Sequence, residues 1–287
     1  MPPAARLSAT ETRPSGPRAA LSVFAIAFGL ALRTGAAAAD DTRNWDLALG
    51  VGAAYAPDYG GASAASPRLR VWADGVYRTQ GFGTLALDSG SLTIAPELRW
   101  DFVDSLDSGI GVLVGYRGGR NDRNPGSTSA EDGSARLQGL PSISGAIDAG
   151  VGGHVTVLGV PLFAQVRTAL HGTQGALMNL GAYLPFKPRL DFELTILPTV
   201  TWANTRQMRA LYGVSPTAAM GSSFAPYDPG AGWENAAVEV AGDWRVSGRW
   251  HLIASVAYQR LLGNAARSPI VQTANQASAL AGVTLDF

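Results

Sequence analysis

The 287-residue sequence predicts an all-β fold, a transmembrane antiparallel up-and-down β-barrel of about twelve strands preceded by a cleaved signal peptide. Three observations predict it. Short segments alternate apolar residues with polar or small ones, which on a strand places the two kinds on opposite faces. The connections between these segments are short at one end and long at the other, the loop asymmetry of an outer-membrane barrel. The chain also closes on such a segment, 278–287, in which Ala279, Ala281, Val283, Leu285 and Phe287 share a face.

The amino-terminal region carries Arg6, Arg13 and Arg18, then an apolar run, 19–32, then Ala36, Ala37, Ala38 and Ala39. A basic region, a short apolar core and an A-x-A site compose a secretory signal peptide. The run is shorter than the ~20 residues that span a bilayer as a helix. Cleavage is expected after Ala39, leaving 1–39 as signal peptide and 40–287 as the barrel domain. Beyond Asp40 no window of transmembrane-helix length is free of charges and turn residues.

The strands follow in order. In the first, Trp45, Leu47, Leu49, Val51, Ala53 and Tyr55 alternate with Asp46, Ala48, Gly50, Gly52 and Ala54. An apolar face with an aromatic at each end suits a lipid-facing band between interfacial girdles. The pattern recurs at 92–102, 192–202, 238–246 and 250–258, and more weakly at 69–77, 82–87, 110–116, 143–151, 162–170 and 178–186. Trp45, Tyr55, Trp100, Trp202, Trp244, Trp250 and Tyr258 are the girdle candidates. If the first strand runs outward, the outer connections are 56–66, 88–91, 118–136, 171–175, 203–235 and 261–277. The inner ones, 79–81, 103–108, 154–160, 187–189 and 247–249, are all short. An even strand count returns the last strand to the periplasmic side. There an aromatic carboxy-terminus resembles the signal read by the barrel-assembly machinery, with Val283, Leu285 and Phe287 as its residues.

The second face of these strands carries Arg70, Asp74, Glu97, Arg99, Asp101, Arg117, Asp148, Arg167, Asp191, Glu193, Glu239, Asp243 and Arg245. A charge near the bilayer midplane costs roughly 2–4 kcal/mol, so such rows face away from lipid. Both signs occur in similar number, which predicts a lumen whose charges pair. Twelve strands also enclose less space than the 16–18 of an open porin.

Composition excludes other classes. The chain has no Cys, so neither a disulfide framework nor a thiolate metal site is available. Its 22 basic and 22 acidic residues balance, against a nucleic-acid partner. The three His, His154, His171 and His251, fall in different segments, and no Gly-x-Ser-x-Gly elbow accompanies them. No catalytic, cofactor or metal residues are assigned, and the expected membrane partner is outer-membrane lipid.

Three motifs in order then resemble one family. Gly50–Gly52 and Tyr55-Ala-Pro57-Asp-Tyr59-Gly60-Gly61, followed by Pro67, resemble its opening strand and first loop. Tyr116-Arg117-Gly-Gly-Arg120-Asn-Asp122 and Leu137-Gln-Gly139-Leu140 resemble its middle loop. Leu261-Leu262-Gly263-Asn264-Ala265 and Ser268-Pro269-Ile270-Val271 resemble its last loop, with Asn264 where an acidic residue is expected. The family is that of MltA-interacting protein and outer-membrane protein V. Tyr55, Pro57, Tyr59, Gly60, Gly263, Ser268 and Pro269 are its loop residues here. By residue type they read as loop-folding devices, with Gly60 and Gly61 free to take positive φ. The resemblance implies a non-enzymatic envelope scaffold that joins a murein lytic transglycosylase to a murein synthase of the penicillin-binding class. A porin-like channel or a surface adhesion protein is the alternative it implies.

Overall fold

The computed structural model describes residues 44–79, 81–105, 107–125 and 132–287. The signal peptide and its cleavage site lie outside the described residues. The rest forms one closed sheet of twelve antiparallel wall positions. In chain order these are β1 (Trp45–Pro57), β2 (Ala65–Thr79), β3 (Gly83–Asp88), β4 (Glu97–Asp104), β5 (Ser108–Arg117) and β6 (Ala146–Val157). Then come β7 (Val160–Ala169), β8 (Ala176–Ala182 continued by Leu184–Arg189), β9 (Phe192–Ala203), β10 (Gly232–Ser247), β11 (Trp250–Leu261) and β12 (Asn275–Asp286). Each strand pairs with its neighbour in sequence, and β1 closes on β12 from Ala48↔Asp286 to Tyr55↔Ala279. Closure of the meander pairs the wall backbone internally, the condition for a sheet in hydrocarbon, except along β2 before Ala73, which the short β3 does not reach.

The period-2 pattern sorts side chains as the pleat requires. Leu49, Val51, Val112, Val114, Val166, Leu252 and Val256 are exposed on the outside, while Ala48, Asp101, Asp148, Arg167, Thr195, Glu239 and Thr284 are buried inside. A surface belt of large apolar side chains around polar contents inverts a soluble core and marks a lipid-facing exterior. Aromatics ring the belt. Trp45, Tyr77, Trp100, Trp244 and Trp250 stand outward toward the short-turn end, and Tyr55, Tyr116, Trp233 and Tyr258 toward the long-loop end.

The connections keep the expected polarity. Short-turn connections are 80–82, 105–107, 158–159, 190–191 and 248–249; long-loop connections are 58–64, 89–96, 118–145, 170–175, 204–231 and 262–274. Two boundaries differ from the sequence reading. The strand expected from residue 92 starts at Glu97, because residues 89–96 leave the wall. The turn expected at 154–160 shrinks to Leu158 and Gly159, because Gly152, Gly153 and His154 continue β6 opposite β5. Both turn residues have positive φ, +52° at Leu158 and +78° at Gly159, as a two-residue hairpin turn needs.

Candidate functional site

The interior is built from three layers of contact. The first is a ladder of charge across β4, β5, β6 and β7. Arg117 Nε lies 2.6 Å from Asp148 Oδ2, and Arg167 Nε lies 3.3 Å from the same oxygen. Arg167 continues to Glu97 at 3.6 Å, Glu97 to Arg99 at 3.9 Å, and Arg99 to Asp101 at 3.1 Å. Three guanidiniums thus alternate with three carboxylates. Gly115 opposite Asp148 leaves room for the Arg167 guanidinium, which a Cβ there would strike. Nearer the short turns, Lys187 pairs with Glu193 at 3.0 Å. His251 stands between Asp243, 2.6 Å from Nδ1, and Asp286, 3.1 Å from Nε2.

The second layer is the connection 89–96, which the sequence reading made a short outer turn at 88–91. It folds into the barrel. Thr93 Oγ1 donates to Glu239 Oε2 at 3.1 Å and the Leu92 N–H donates to Oε1 at 3.4 Å, reaching β10 across the lumen. Ile94 packs with Tyr183 at the break in β8, Leu197 on β9 and Ala241 on β10, with Phe163 of β7 beside them. The loop returns through Pro96, whose carbonyl accepts from the Tyr116 N–H at 3.1 Å and from Arg167 Nη2 at 3.4 Å. Leu197, Glu239 and Thr195 show no exposure at all. A side chain lining a water-filled passage touches water, so the lumen is filled at this level.

The third layer caps the long-loop end. Loop 204–231 holds α1 (Thr205–Tyr212) and α2 (Pro216–Gly221), and loop 262–274 holds α3 (Gly263–Ala266). Asn204 and Ser215 cap α1 and α2 by accepting from the Gln207 and Ala218 N–H groups. Tyr59, Leu137, Leu140, Val214, Phe224 and Ile270, drawn from four loops, form one apolar cluster. Tyr59 Oη donates to the Ile270 carbonyl at 3.1 Å, and Ser268 Oγ to the Tyr212 carbonyl at 2.6 Å. Arg120 Nη1 donates to the Leu211 carbonyl, and burial lowers its guanidinium from the usual range. Burial, with Glu234 beside it, pushes the Tyr212 phenol well above its usual range, so it stays protonated and donates to Glu234 Oε1 at 3.1 Å.

The residues singled out from sequence fall as follows. Glu97, Arg99, Asp101, Arg117, Asp148 and Arg167 meet in the ladder. Asp74 and Glu193 are buried inside, Glu239 anchors the inserted loop, and Asp243 holds His251. Arg245 sits at the short-turn rim, where Nη2 reaches the Leu190 carbonyl at 3.5 Å. Asp191 is a correction. It lies in the 190–191 turn, outside the lumen, where it accepts from Arg189 and from Trp244 Nε1 at 3.2 Å; the strand starts one residue later, at Phe192. Tyr59 and Ser268 stand in the cap. Gly61 and Gly263 take positive φ, +102° and +47°, whereas Gly60 does not; a Cβ there would meet the Tyr212 hydroxyl. His171 Nε2 accepts from the Ile147 N–H at 3.3 Å at the long-loop end, whereas His154 and His251 lie toward the short turns. Among the described residues no group of three or more potential ligands could hold a metal ion.

Sequence reasoning missed the inserted loop and Trp72. The latter lies flat inside the barrel over Gly50 and Gly282, with Nε1 donating to Thr284 Oγ1 at 3.1 Å. The loop's signals were the Ser89-Gly90-Ser91 cluster and Pro96, which interrupt the wall pattern. Replacing Ser268 by Ala should loosen the cap by about 1–3 kcal/mol, by leaving the buried Tyr212 carbonyl unpaired. Limited proteolysis of whole cells should then cut loops 204–231 and 262–274 faster than in the parent; an unchanged rate would remove Ser268 from the cap's supports.

Comparison with known proteins gives one family. The model of the MltA-interacting protein MipA family matches residues 49–287. None of the curated proteins matches the chain. Solved structures with similar folds include an outer membrane protein of Vibrio cholerae, at 7% identity and TM-score 0.37 over 86% of this chain and 99% of that one. The anion-selective porin of Comamonas acidovorans overlaps at 9% identity and TM-score 0.37, over 85% and 98% of the two chains. The translocator domain of the autotransporter NalP from Neisseria meningitidis overlaps at 12% identity and TM-score 0.38, over 87% and 90%.

Proposed function

Given that this chain belongs to the MipA family and is an outer-membrane β-barrel, we propose that it is a closed, non-enzymatic platform for murein enzymes. It would hold a murein lytic transglycosylase and a penicillin-binding-class synthase together on the periplasmic side. The observation that carries this reading is the occupied lumen. The charges of its ladder neutralise each other, loop 89–96 crosses it, and four outer loops cover it. A barrel in this state offers surfaces rather than a passage.

The periplasmic rim supplies a docking feature despite its short turns. Leu158 and Leu190 are 100% and 97% exposed, on the turns that flank the β7–β8 pair. A leucine at φ +52°, where Asn, Asp or Gly is the ordinary occupant, gains nothing for the hairpin itself. Two bare leucines on neighbouring turns suit an apolar partner patch. Pull-down from solubilised envelopes should enrich murein hydrolases and synthases over an unrelated barrel. Leu158→Asp with Leu190→Asp should abolish that enrichment while the folded gel band persists. Enrichment equal to the control barrel in the parent protein would refute the platform role.

A further inference from the structure

The barrel wall has a gap in its outer half. β1 and β2 run 13 and 15 residues, but β3 and β4 only 6 and 8. β3 pairs with β2 only from Gly75↔Leu87 to Thr79↔Gly83. The wall ends where Ser89 Oγ donates to the Ala73 carbonyl at 2.6 Å and accepts from the Ala73 N–H at 2.7 Å. Past that point the chain turns into the lumen as loop 89–96. The part of β2 before Ala73 therefore has β1 on one side and no strand on the other.

Backbone direction alternates along a strand, so the N–H and C=O groups of Leu69 and Val71 point into the gap with those of Ala73. Among the described residues no hydrogen bond reaches them. The side chains of Leu69 and Val71 are 55% and 72% exposed on the lipid side. At ~3.3 Å per residue and a tilt of ~40°, residues 69–73 cover about 12 Å of depth, nearly half of a ~25 Å apolar band. Hydrocarbon cannot satisfy these backbone groups, and leaving them bare costs several kcal/mol.

Behind the gap, on the lumen face of the same stretch, stands Arg70. It makes no hydrogen bond and no ion pair within 4.0 Å among the described residues; Glu239 acts on it only from farther away. Glu239 is in any case engaged by Thr93 and Leu92. By contrast Arg68 pairs with Asp132 at 2.8 Å, and Arg99, Arg117 and Arg167 all hold carboxylates. One guanidinium on the lumen face, and the N–H and C=O groups of Leu69 and Val71 in the wall beside it, thus belong to one short stretch whose lipid-side chains are apolar.

We propose that this gap is a lateral binding site for an acidic lipid of the surrounding leaflet. Its phosphate or carboxylate head passes through the wall to Arg70 and the β2 N–H groups, while its chains lie along Leu69 and Val71. The head's phosphate or carboxylate takes charge-assisted hydrogen bonds from Arg70. A zwitterionic head is disfavoured because its tethered cation offsets the anion's attraction to the guanidinium and adds bulk that must pass the wall.

The full mature protein, in neutral micelles, is titrated with dioleoyl phosphatidic acid and with dioleoyl phosphatidylcholine, and occupancy is read by native mass spectrometry. One phosphatidic acid should bind at least tenfold more tightly than phosphatidylcholine. Arg70→Gln should bring the two within about threefold, and Val71→Glu, which sets a like charge at the lip, should do the same. Arg123→Gln, in an outer loop, should leave the preference intact and so separates the site from general attraction to positive charge. Equal binding of the two lipids by the parent, or an undiminished preference in folded Arg70→Gln or Val71→Glu, overturns the proposal. None of these readouts involves murein enzymes, so their outcome is separate from that of the platform reading.

Discussion

Asp148→Ala should destabilise the barrel by about 3–5 kcal/mol, the range for breaking a buried ion pair from one side. Asp148 is completely buried on β6 and meets both Arg117 and Arg167. Removing it leaves two guanidiniums close together and out of water, held among the described residues by Glu97 and two backbone carbonyls, with Glu234 acting on Arg117 from farther away. Desolvation already opposes each charge, and repulsion is then added. The measurement is urea unfolding in lipid vesicles, followed by the loss of the heat-modifiable gel band. The ladder account makes a second demand. Asp148→Ala combined with Arg117→Met and Arg167→Met should be less damaged than Asp148→Ala alone, because apolar side chains of similar volume carry no desolvation penalty. A loss under ~1 kcal/mol for the single variant, or a triple variant worse than the single, would show that the ladder is not what holds β5, β6 and β7 in register.

Much of this architecture was legible because a bilayer imposes a strict rule on each strand. Val112 and Val114 had to alternate with Leu113 and Gly115, and the structure keeps them on opposite faces. The charged rows were legible for the same reason. Arg117, Asp148 and Arg167 can face only inward, although which carboxylate meets which guanidinium depends on strand stagger, and period alone does not give it. The same period hid the inserted loop. Leu92, Ile94 and Pro96 continue the phase of Leu98 and Trp100, yet Ile94 is buried against Leu197 and Ala241 inside the barrel. A segment that crosses the lumen also meets apolar and polar surfaces in turn, so alternation does not separate it from a wall strand. The cap was visible only as motifs. Tyr59 and Ile270 lie 211 positions apart, and their hydrogen bond joins two loops whose sequences carry no mark of each other.

Shortening loop 89–96 should turn a silent barrel into a conducting one. In the parent the loop is held at its far end by Glu239 and by the packing of Ile94, and at its root by Ser89 and Pro96. Replacing residues 91–95 with two glycines removes both far contacts and keeps the wall bonds of Ser89 and Pro96. The space that Thr93 and Ile94 vacate is bordered by the freed Glu239 carboxylate, which holds water, and by Tyr183, Leu197 and Ala241, which stand on the wall strands and their junctions and so cannot close across it. Planar-bilayer recordings should show no steady current through the parent. The shortened variant should show steps well above baseline, with a conductance rise of at least tenfold. Glu239→Ala should give an intermediate result, because it frees Thr93 and Leu92 but leaves Ile94 in place. A shortened barrel that folds yet stays silent would place the barrier in the outer cap instead, and Ser268→Ala, not the loop deletion, would then be the variant that conducts. Steady current through the parent would mean that the buried state of Leu197 and Glu239 is not the one that dominates in a membrane, and the closed-platform reading would fall with it.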